Sequence, residues 1–236
     1  MSSTAPFASL GPEVSAQPAL RPEPIRLEGR YIRLCPLDAH RHAPSLYAAS
    51  HGAENEQVWR YLFDGPFATK DQFVQALFAK EQSSDPLFFA IEDKLTEQAV
   101  GYAALMRIDE KHRCIEVGSI LYTPSLQHTS GATEAMYLMA RHVFEDLGYR
   151  RYEWKCNDLN GPSKNAALRF GFSFEGIFRQ HMIVKGHSRD TAWFSMLDGE
   201  WPKRRAAFEQ FLSPDNFDTE GRQKIALSTL NGLGSS

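Results

Sequence analysis

From Cys114 to Leu147 the chain reads CIEVGSILYTPSLQHTSGATEAMYLMARHVFEDL, and the period of its apolar residues changes halfway along. Ile115 to Tyr122 alternates and carries β-forming residues, the pattern of a strand. Thr123, Pro124 and Ser125 break it, because proline cannot continue a ladder and favours a turn. From Gly131 the spacing becomes helical. Ala135, Met139, Val143 and Leu147 recur every fourth residue, Met136 and Ala140 widen the same face, and Gly148 stands as the stop. A strand, a small-residue loop and a long helix in succession leave backbone N–H groups unpaired at the positive end of the helix dipole, which makes an anion site.

Neither common phosphate-loop pattern fits: there is no G-x-x-x-x-G-K-[ST] and no G-x-G-x-x-G here. The run Gln127-His128-Thr129-Ser130-Gly131-Ala132, followed by Thr133-Glu134-Ala135, instead resembles the Q/R-x-x-G-x-G/A pyrophosphate loop of the GNAT acetyltransferase superfamily. Its A-T-E-A run is similar to the branch containing the N-terminal acetyltransferases of ribosomal proteins. Ser130 stands where the family usually has glycine, and Thr129 where that branch often has a basic residue. A second segment carries the same resemblance further along. Asn160-Gly161-Pro162-Ser163, then Ala166-Ala167-Leu168-Arg169-Phe170-Gly171-Phe172, is similar to the family's N-x-x-[AS]…G-F stretch, in the correct order downstream of the loop.

The resemblance implies acetyl-CoA as co-substrate and no metal. It implies that Gln127 to Thr133 receive the pyrophosphate, that Asn160 holds the pantetheine arm, and that Ser163 lies near the thioester sulfur. Many members carry a Tyr seven positions after that Asn as the thiolate's acid. Ala167 stands there, so Ser163 is the replacement. Acetyl transfer needs a base for the amine and a donor for the carbonyl oxygen as it gains charge. Glu116, in an E-V-G context similar to the branch's E-I-G, is the candidate base, acting through water. Backbone N–H groups of Ile120, Leu121 and Tyr122 are candidates for the oxygen and for cofactor contacts. Alternation predicts Glu116, Gly118, Ile120 and Tyr122 on one sheet face. Trp59, Tyr61 and Phe67 fall where similar enzymes build the acceptor wall, although core packing explains aromatics there equally well. Glu134 reads as a first-turn carboxylate favoured by the dipole, or as a group steering the acceptor.

Composition sets the outer bounds. The 236 residues, 42% hydrophobic and 23% charged with a formal net charge of −3, are those of a globular protein; the balance argues against a nucleic-acid binder, which needs a basic face, although such a total can hide a local basic patch. Cys35, Cys114 and Cys156, odd in number and far apart, read as free thiols in a reducing compartment. The eight histidines show no metal-ligand spacing. No run approaches the roughly 18 apolar residues of a membrane span, and no secretory signal is evident, so the expected location is the cytoplasm.

Pro, Ala and Ser dominate residues 1–24, predicting a flexible leader, partly draped over the domain. Residues 25–213 read as one domain. A first strand pattern precedes a helix capped by Asp38, a short helix from Glu56 to Leu62, and a helix capped by Thr69. Strands at 87–92 and 99–108 lead into the opening strand as an antiparallel meander. After the long helix, Arg151 to Cys156 returns as a parallel strand, Asn160 caps a short helix, and 172–184 with 191–197 form a hairpin before a last helix at 201–212. Residues 214–236 read as a polar tail. The expected class is α+β: a mixed, mostly antiparallel sheet flanked by helices, with a parallel β-α-β crossover at the acyl-CoA site.

The reading favoured is an acetyl-CoA-dependent N-acetyltransferase acting by direct attack in a ternary complex. Its acceptor is a primary amine, on a peptide N-terminus or a small molecule, and the state is monomer or homodimer. The rivals are a non-catalytic acyl-CoA-binding or sensing module and a scaffold that binds no coenzyme A.

Overall fold

The computed structural model describes residues 11–232. One mixed sheet carries eight strands: β1 (Leu27–Glu28), β2 (Ile32–Pro36), β3 (Leu87–Asp93), β4 (Ala99–Asp109), β5 (Cys114–Tyr122), β6 (Arg151–Asn157), β7 (Ser173–Val184) and β8 (His187–Leu197). Their spatial order is β1-β2-β3-β4-β5-β6-β8-β7. Every neighbouring pair is antiparallel except β5 and β6, which run parallel across the helix α3 (Ser130–Arg141). That is the expected α+β architecture with its single β-α-β crossover.

Two apolar clusters lie on opposite faces of the sheet. On one face α3 packs with α5 (Trp201–Leu212) and α4 (Gly161–Arg169), burying Ala135, Met136, Met139, Val143, Phe170 and Phe208 against Ile115, Val117 and Trp154. On the other, α1 (Ala39–Ser50) and α2 (Lys70–Glu81) bury Ala43, Leu46, Phe73 and Leu77 against Ala90, Tyr102, Ala104 and Leu121. The helix caps follow from the residues: Asp38, Thr69 and Asn160 each accept a backbone N–H three residues on.

Several expectations need correction. Thr129 caps α3, so the helix starts at Ser130, and after Arg141 it widens into a π-helical turn, His142–Asp146, before Gly148 ends it with φ of +76°. The helix expected at Glu56 is a 3₁₀ turn, Glu56–Trp59. β8 begins at His187 rather than Thr191, because Lys185 and Gly186, both at positive φ, close a two-residue turn.

The single-face expectation for Glu116, Gly118, Ile120 and Tyr122 also fails. Ala104 pairs with Gly118 but Tyr102 pairs with Leu121, so β5 carries a bulge there, with Ser119 at φ of +48°. One extra residue reverses the alternation. Ile115 and Val117 face the α3 cluster before the bulge, whereas after it Ile120 and Tyr122 face that cluster and Leu121 the opposite one.

Both chain ends pack against the domain, as expected of the draped leader but not of the polar tail. Residues 1–10 and 233–236 of those two expectations lie outside the described residues. Ala19 and Pro22 are buried; Ala19 N donates to Glu110 O at 2.9 Å and Leu20 N to Leu147 O at 2.9 Å. The expected polar tail folds back. Asn216 is buried and donates through Nδ2 to Phe211 O and Ile225 O, and a short helix α6 (Leu227–Leu230) buries Leu227 completely.

Candidate active site

Parallel pairing between β5 and β6 covers only Cys114–Val117 of β5 against Arg151–Trp154 of β6. Beyond Val117 the two strands part, and the side of β5 that faced β6 has no ladder partner. The bulge at Ser119 lies where they part, consistent with the stronger local twist a bulge imposes. Into the gap opens a cleft of about 1090 Å³. Gln127, His128, Thr129, Ala132 and Thr133 form one rim, the first turn of α4 another, and the segment that follows the 3₁₀ turn lies across it. That segment is tied down on the far side: Tyr61 Oη donates to Leu159 O at 3.0 Å, and Lys185 Nζ donates to Trp59 O at 2.8 Å.

Most residues expected at the site line this one cleft: Glu116, Ile120, Tyr122, Gln127, His128, Thr129, Ala132, Thr133, Asn160, Ser163 and Tyr61. Gln127, His128 and Thr129 are exposed on the rim, with Gln127 Nε2 donating to Tyr122 O at 2.8 Å. Thr129 Oγ1 accepts from Ala132 N at 3.1 Å, which spends that helix-start donor on the cap. Ser130 N and Gly131 N, ahead of it, have no intrahelical acceptor. At the same end of the helix Arg169 Nη2 donates to Thr133 Oγ1 at 2.9 Å. Burial pulls the Arg169 guanidinium below its ordinary pKa, and no carboxylate lies within 4 Å of it among the described residues.

Five expected site residues fall elsewhere. Leu121 is fully buried on the opposite face, turned there by the bulge. Ser130 and Gly131 lie outside the cleft lining. A Cβ at Gly131 would meet Ile32 Cγ2 at 2.8 Å, so that glycine answers to the packing of α3 on β2. Trp59 is fully buried, with Nε1 donating to Ser50 O at 2.7 Å, and Phe67 packs edge-on to it at 5.5 Å. Their place is the α1–α2 core. Glu134 fits neither expectation: its carboxylate is buried and accepts from Arg30 N, Tyr31 N and Ile32 N at 2.7, 2.7 and 2.9 Å.

Glu116 sits on the cleft floor, 5% exposed, with Oε2 at 3.0 Å from Arg107 Nε and 2.9 Å from Lys155 Nζ. Burial raises its carboxyl pKa, against the opposing pull of Lys155 and then Arg107. Lys155 is equally buried, also meets Glu153 Oε2 at 2.6 Å, and lies over the Trp193 ring at 3.9 Å. At the other end Trp154 Nε1 donates to Ser163 Oγ at 3.0 Å. That fills an acceptor site on the hydroxyl, whose proton can turn to the neighbouring Cys156 sulfur or into the cleft. Asn160 Oδ1 is engaged in the α4 cap, accepting Ser163 N at 3.1 Å, so its amide NH₂ is the part left for a ligand. Ala167, at the position of the missing Tyr, is fully buried.

Sequence reasoning missed the cations. Arg107, Lys155, Arg169 and Arg189 all line the cleft, as does His181. Arg169 stood inside a quoted motif without a role. Placing the start of β8 at Thr191 put Arg189 in a turn. Among the described residues no group of His, Cys, Asp and Glu is arranged to hold a metal ion, and no helix is long and apolar enough to cross a membrane.

Residues 32–173 match the family model described as acetyltransferase (GNAT) domain. A GCN5-related N-acetyltransferase from Brucella melitensis is 50% identical, with a TM-score of 0.89 over 92% of this chain and 98% of that one. A probable acetyltransferase of the GNAT family from Chromobacterium violaceum is 38% identical, with a TM-score of 0.77 over 84% of this chain and 100% of its own. The Bacillus subtilis protein named uncharacterized N-acetyltransferase YoaA is 26% identical over 146 residues, which are 61% of this chain and 82% of that protein.

Proposed function

This chain belongs to the GNAT acetyltransferase superfamily, and from that premise we propose that it moves an acetyl group from acetyl-CoA to a primary amine bound in the cleft. The observation that carries the reading is the parting of β5 and β6 beside the start of α3, which opens one cleft between the start of α3 and the Asn160–Ser163 turn. The chemistry of these residues suits the donor. The Arg169 guanidinium, with Gln127 and His128 on the rim beside it, matches a pyrophosphate. The Asn160 amide matches the pantetheine arm, and the Ser163 hydroxyl matches a departing thiolate.

The amine nitrogen forms a bond to the thioester carbonyl carbon as the C–S bond breaks, and the sulfur leaves as thiolate. Glu116 takes the amine proton, directly or through water, in its ionised form. The unpaired edge of β5 beyond Val117 offers backbone N–H groups to the carbonyl oxygen as it gains charge. Ser163, its oxygen already accepting from Trp154, donates to the thiolate. The acceptor amine, on a small molecule or a peptide N-terminus, enters from the side walled by Tyr61.

Calorimetric titration of acetyl-CoA, followed by free-thiol release with a panel of amines, tests the reading. Binding with amine-dependent thiol release is the expected result. Binding without release from any amine would favour a sensing module, and no binding would end the transferase reading. A variant locates the donor site. His128 has φ of +62°, a conformation Asp tolerates, so His128→Asp places a carboxylate on the rim without straining the loop. Acetyl-CoA affinity is expected to drop by about 1 kcal/mol, roughly fivefold, with an unchanged Tm. Unchanged affinity would move the pyrophosphate away from this rim.

A further inference from the structure

The chain carries a formal net charge of −3, yet the cleft does not share that sign. Among its lining residues Arg60, Arg107, Lys155, Arg169 and Arg189 are cationic, and Glu116 is the one carboxylate. Arg169 belongs with the helix start. Arg107, Lys155 and Arg189 gather at the other end, around Glu116. Register puts them there together. Glu116 pairs with Glu153 across β5 and β6, so Lys155, two residues on, shares that face, and Lys155 pairs with Trp193 on β8. Thr191 and Arg189 then follow along the same face of β8.

Arg189 is the unusual member. It is 6% exposed, its Nε donates to Thr191 Oγ1 at 3.2 Å, and its guanidinium lies 5.1 Å from the Phe63 ring centroid. Arg107 and Lys155 have Glu116. Among the described residues, no Asp or Glu oxygen lies within 4 Å of Arg189. A buried guanidinium held by one threonine and an aromatic face leaves most of its donor fork unused. Its terminal nitrogens have no hydrogen-bond partner among the described residues and the side chain lines the cleft, where a ligand can reach it. The neighbouring His181, whose Nδ1 lies 3.0 Å from Thr191 Oγ1, shows the same imbalance: burial first, then Arg107, Arg189 and Lys155, lower its pKa.

We infer that this end of the cleft is a carboxylate subsite, so that the acceptor presents its amine to Glu116 while Arg189 takes a carboxylate on the same molecule. The inference rests on the acetyltransferase reading and narrows it. An amino acid, or a peptide whose first residue is acidic, fits; a diamine or polyamine does not, because it would bring further cations against three. The Arg189 fork matches the two oxygens of a carboxylate, and the Phe63 ring holds the guanidinium plane from behind.

Three probes separate the cases by calorimetry without turnover: N-acetylalanine, its neutral amide, and Nα-acetylaspartic acid α-amide, which keeps only the side-chain carboxylate. One carboxylate probe is expected to bind about tenfold more tightly than the neutral amide. Preference for the first identifies a free amino acid as the acceptor class, and preference for the last an acidic peptide terminus. Arg189→Met is expected to erase the preference and Arg189→Lys to keep part of it. Equal affinities for all three probes, including no measurable binding by any, would overturn the inference, as would a preference that survives Arg189→Met. The wild-type comparison decides even if the Met variant does not fold. Acetyl-CoA titrated into the same sample reports separately on the transferase reading, so either can fail alone.

Discussion

Glu116 meets two requirements that pull in opposite directions. A base must be ionised to work, and burial raises its pKa, whereas Lys155 and Arg107 at about hydrogen-bond distance favour the charged form. Burial outweighs the cations, so the carboxyl titrates above the ordinary glutamate range. The base form is lost as pH falls through that raised value, and the rate is expected to fall with it. Glu116→Gln is expected to lower the rate at neutral pH by about a hundredfold and to abolish that acid limb, with acetyl-CoA binding retained. The stability sign is opposite. A raised folded pKa stabilises the protein below the unfolded value and loses that contribution as pH rises through the folded one. The variant's Tm at pH 7 is therefore expected to equal or exceed wild type, since Lys155 keeps Glu153. A pH–rate profile identical to wild type would remove Glu116 as base. Glu116 was legible as a candidate because it precedes the loop on the same strand and its E-V-G context resembles the E-I-G of the branch. Arg107, Lys155 and Arg189 were not, because a charged residue in a strand has the same pattern whether it meets solvent or a cleft.

At the scale of elements, Glu134 joins α3 to the turn between β1 and β2. Its carboxylate receives three successive N–H groups there, and a Cβ at Gly29 would lie 2.4 Å from it. The glycine keeps the turn close enough for all three bonds. Glu134→Ala is expected to cost about 3 kcal/mol, because it strands the buried Ile32 N–H and removes two part-buried bonds, and Gly29→Ala about 1–3 kcal/mol by displacing the carboxylate. The two are expected to be non-additive. With the carboxylate gone the three atoms nearest the added methyl are gone, so Gly29→Ala should cost much less in the Glu134→Ala background. Denaturant unfolding of the four proteins checks this, and additive losses would mean that the glycine answers to something else. Local signals announced most elements, since caps such as Asp38, Thr69 and Asn160 act within one turn. The bulge at Ser119 had no such signal. It is defined by the pairing of β5 with β4, where Gly118 meets Ala104 and Leu121 meets Tyr102, and it alone decides which face Leu121 and Tyr122 occupy.

Across the whole molecule, the least legible part is the C-terminal segment, and it reaches the site. Its composition is polar and its apolar residues are too sparse to declare a helix, yet Leu227 is fully buried and Gln223 lines the cleft. Asn231 Nδ2 donates to Arg169 O at 2.9 Å, and Arg204 Nη1 donates to Asn231 O at 3.0 Å. Arg169 in turn donates to Thr133 at the start of α3. The end of the chain thus braces α4 against α5 and holds, through Arg169, the rim proposed for the pyrophosphate. Removing residues 214–236 is expected to lose about 2 kcal/mol from Leu227 alone, lowering Tm by roughly 5 °C or more. It is also expected to weaken acetyl-CoA binding, because Arg169 loses the support of its backbone carbonyl. Asn231→Ala separates the two effects: it keeps Leu227 buried, so most of the Tm should survive while acetyl-CoA affinity falls. Calorimetric titration of both variants measures the coupling. Wild-type affinity in the truncated chain would mean that Arg169 keeps its place without the segment, and that the segment contributes stability alone.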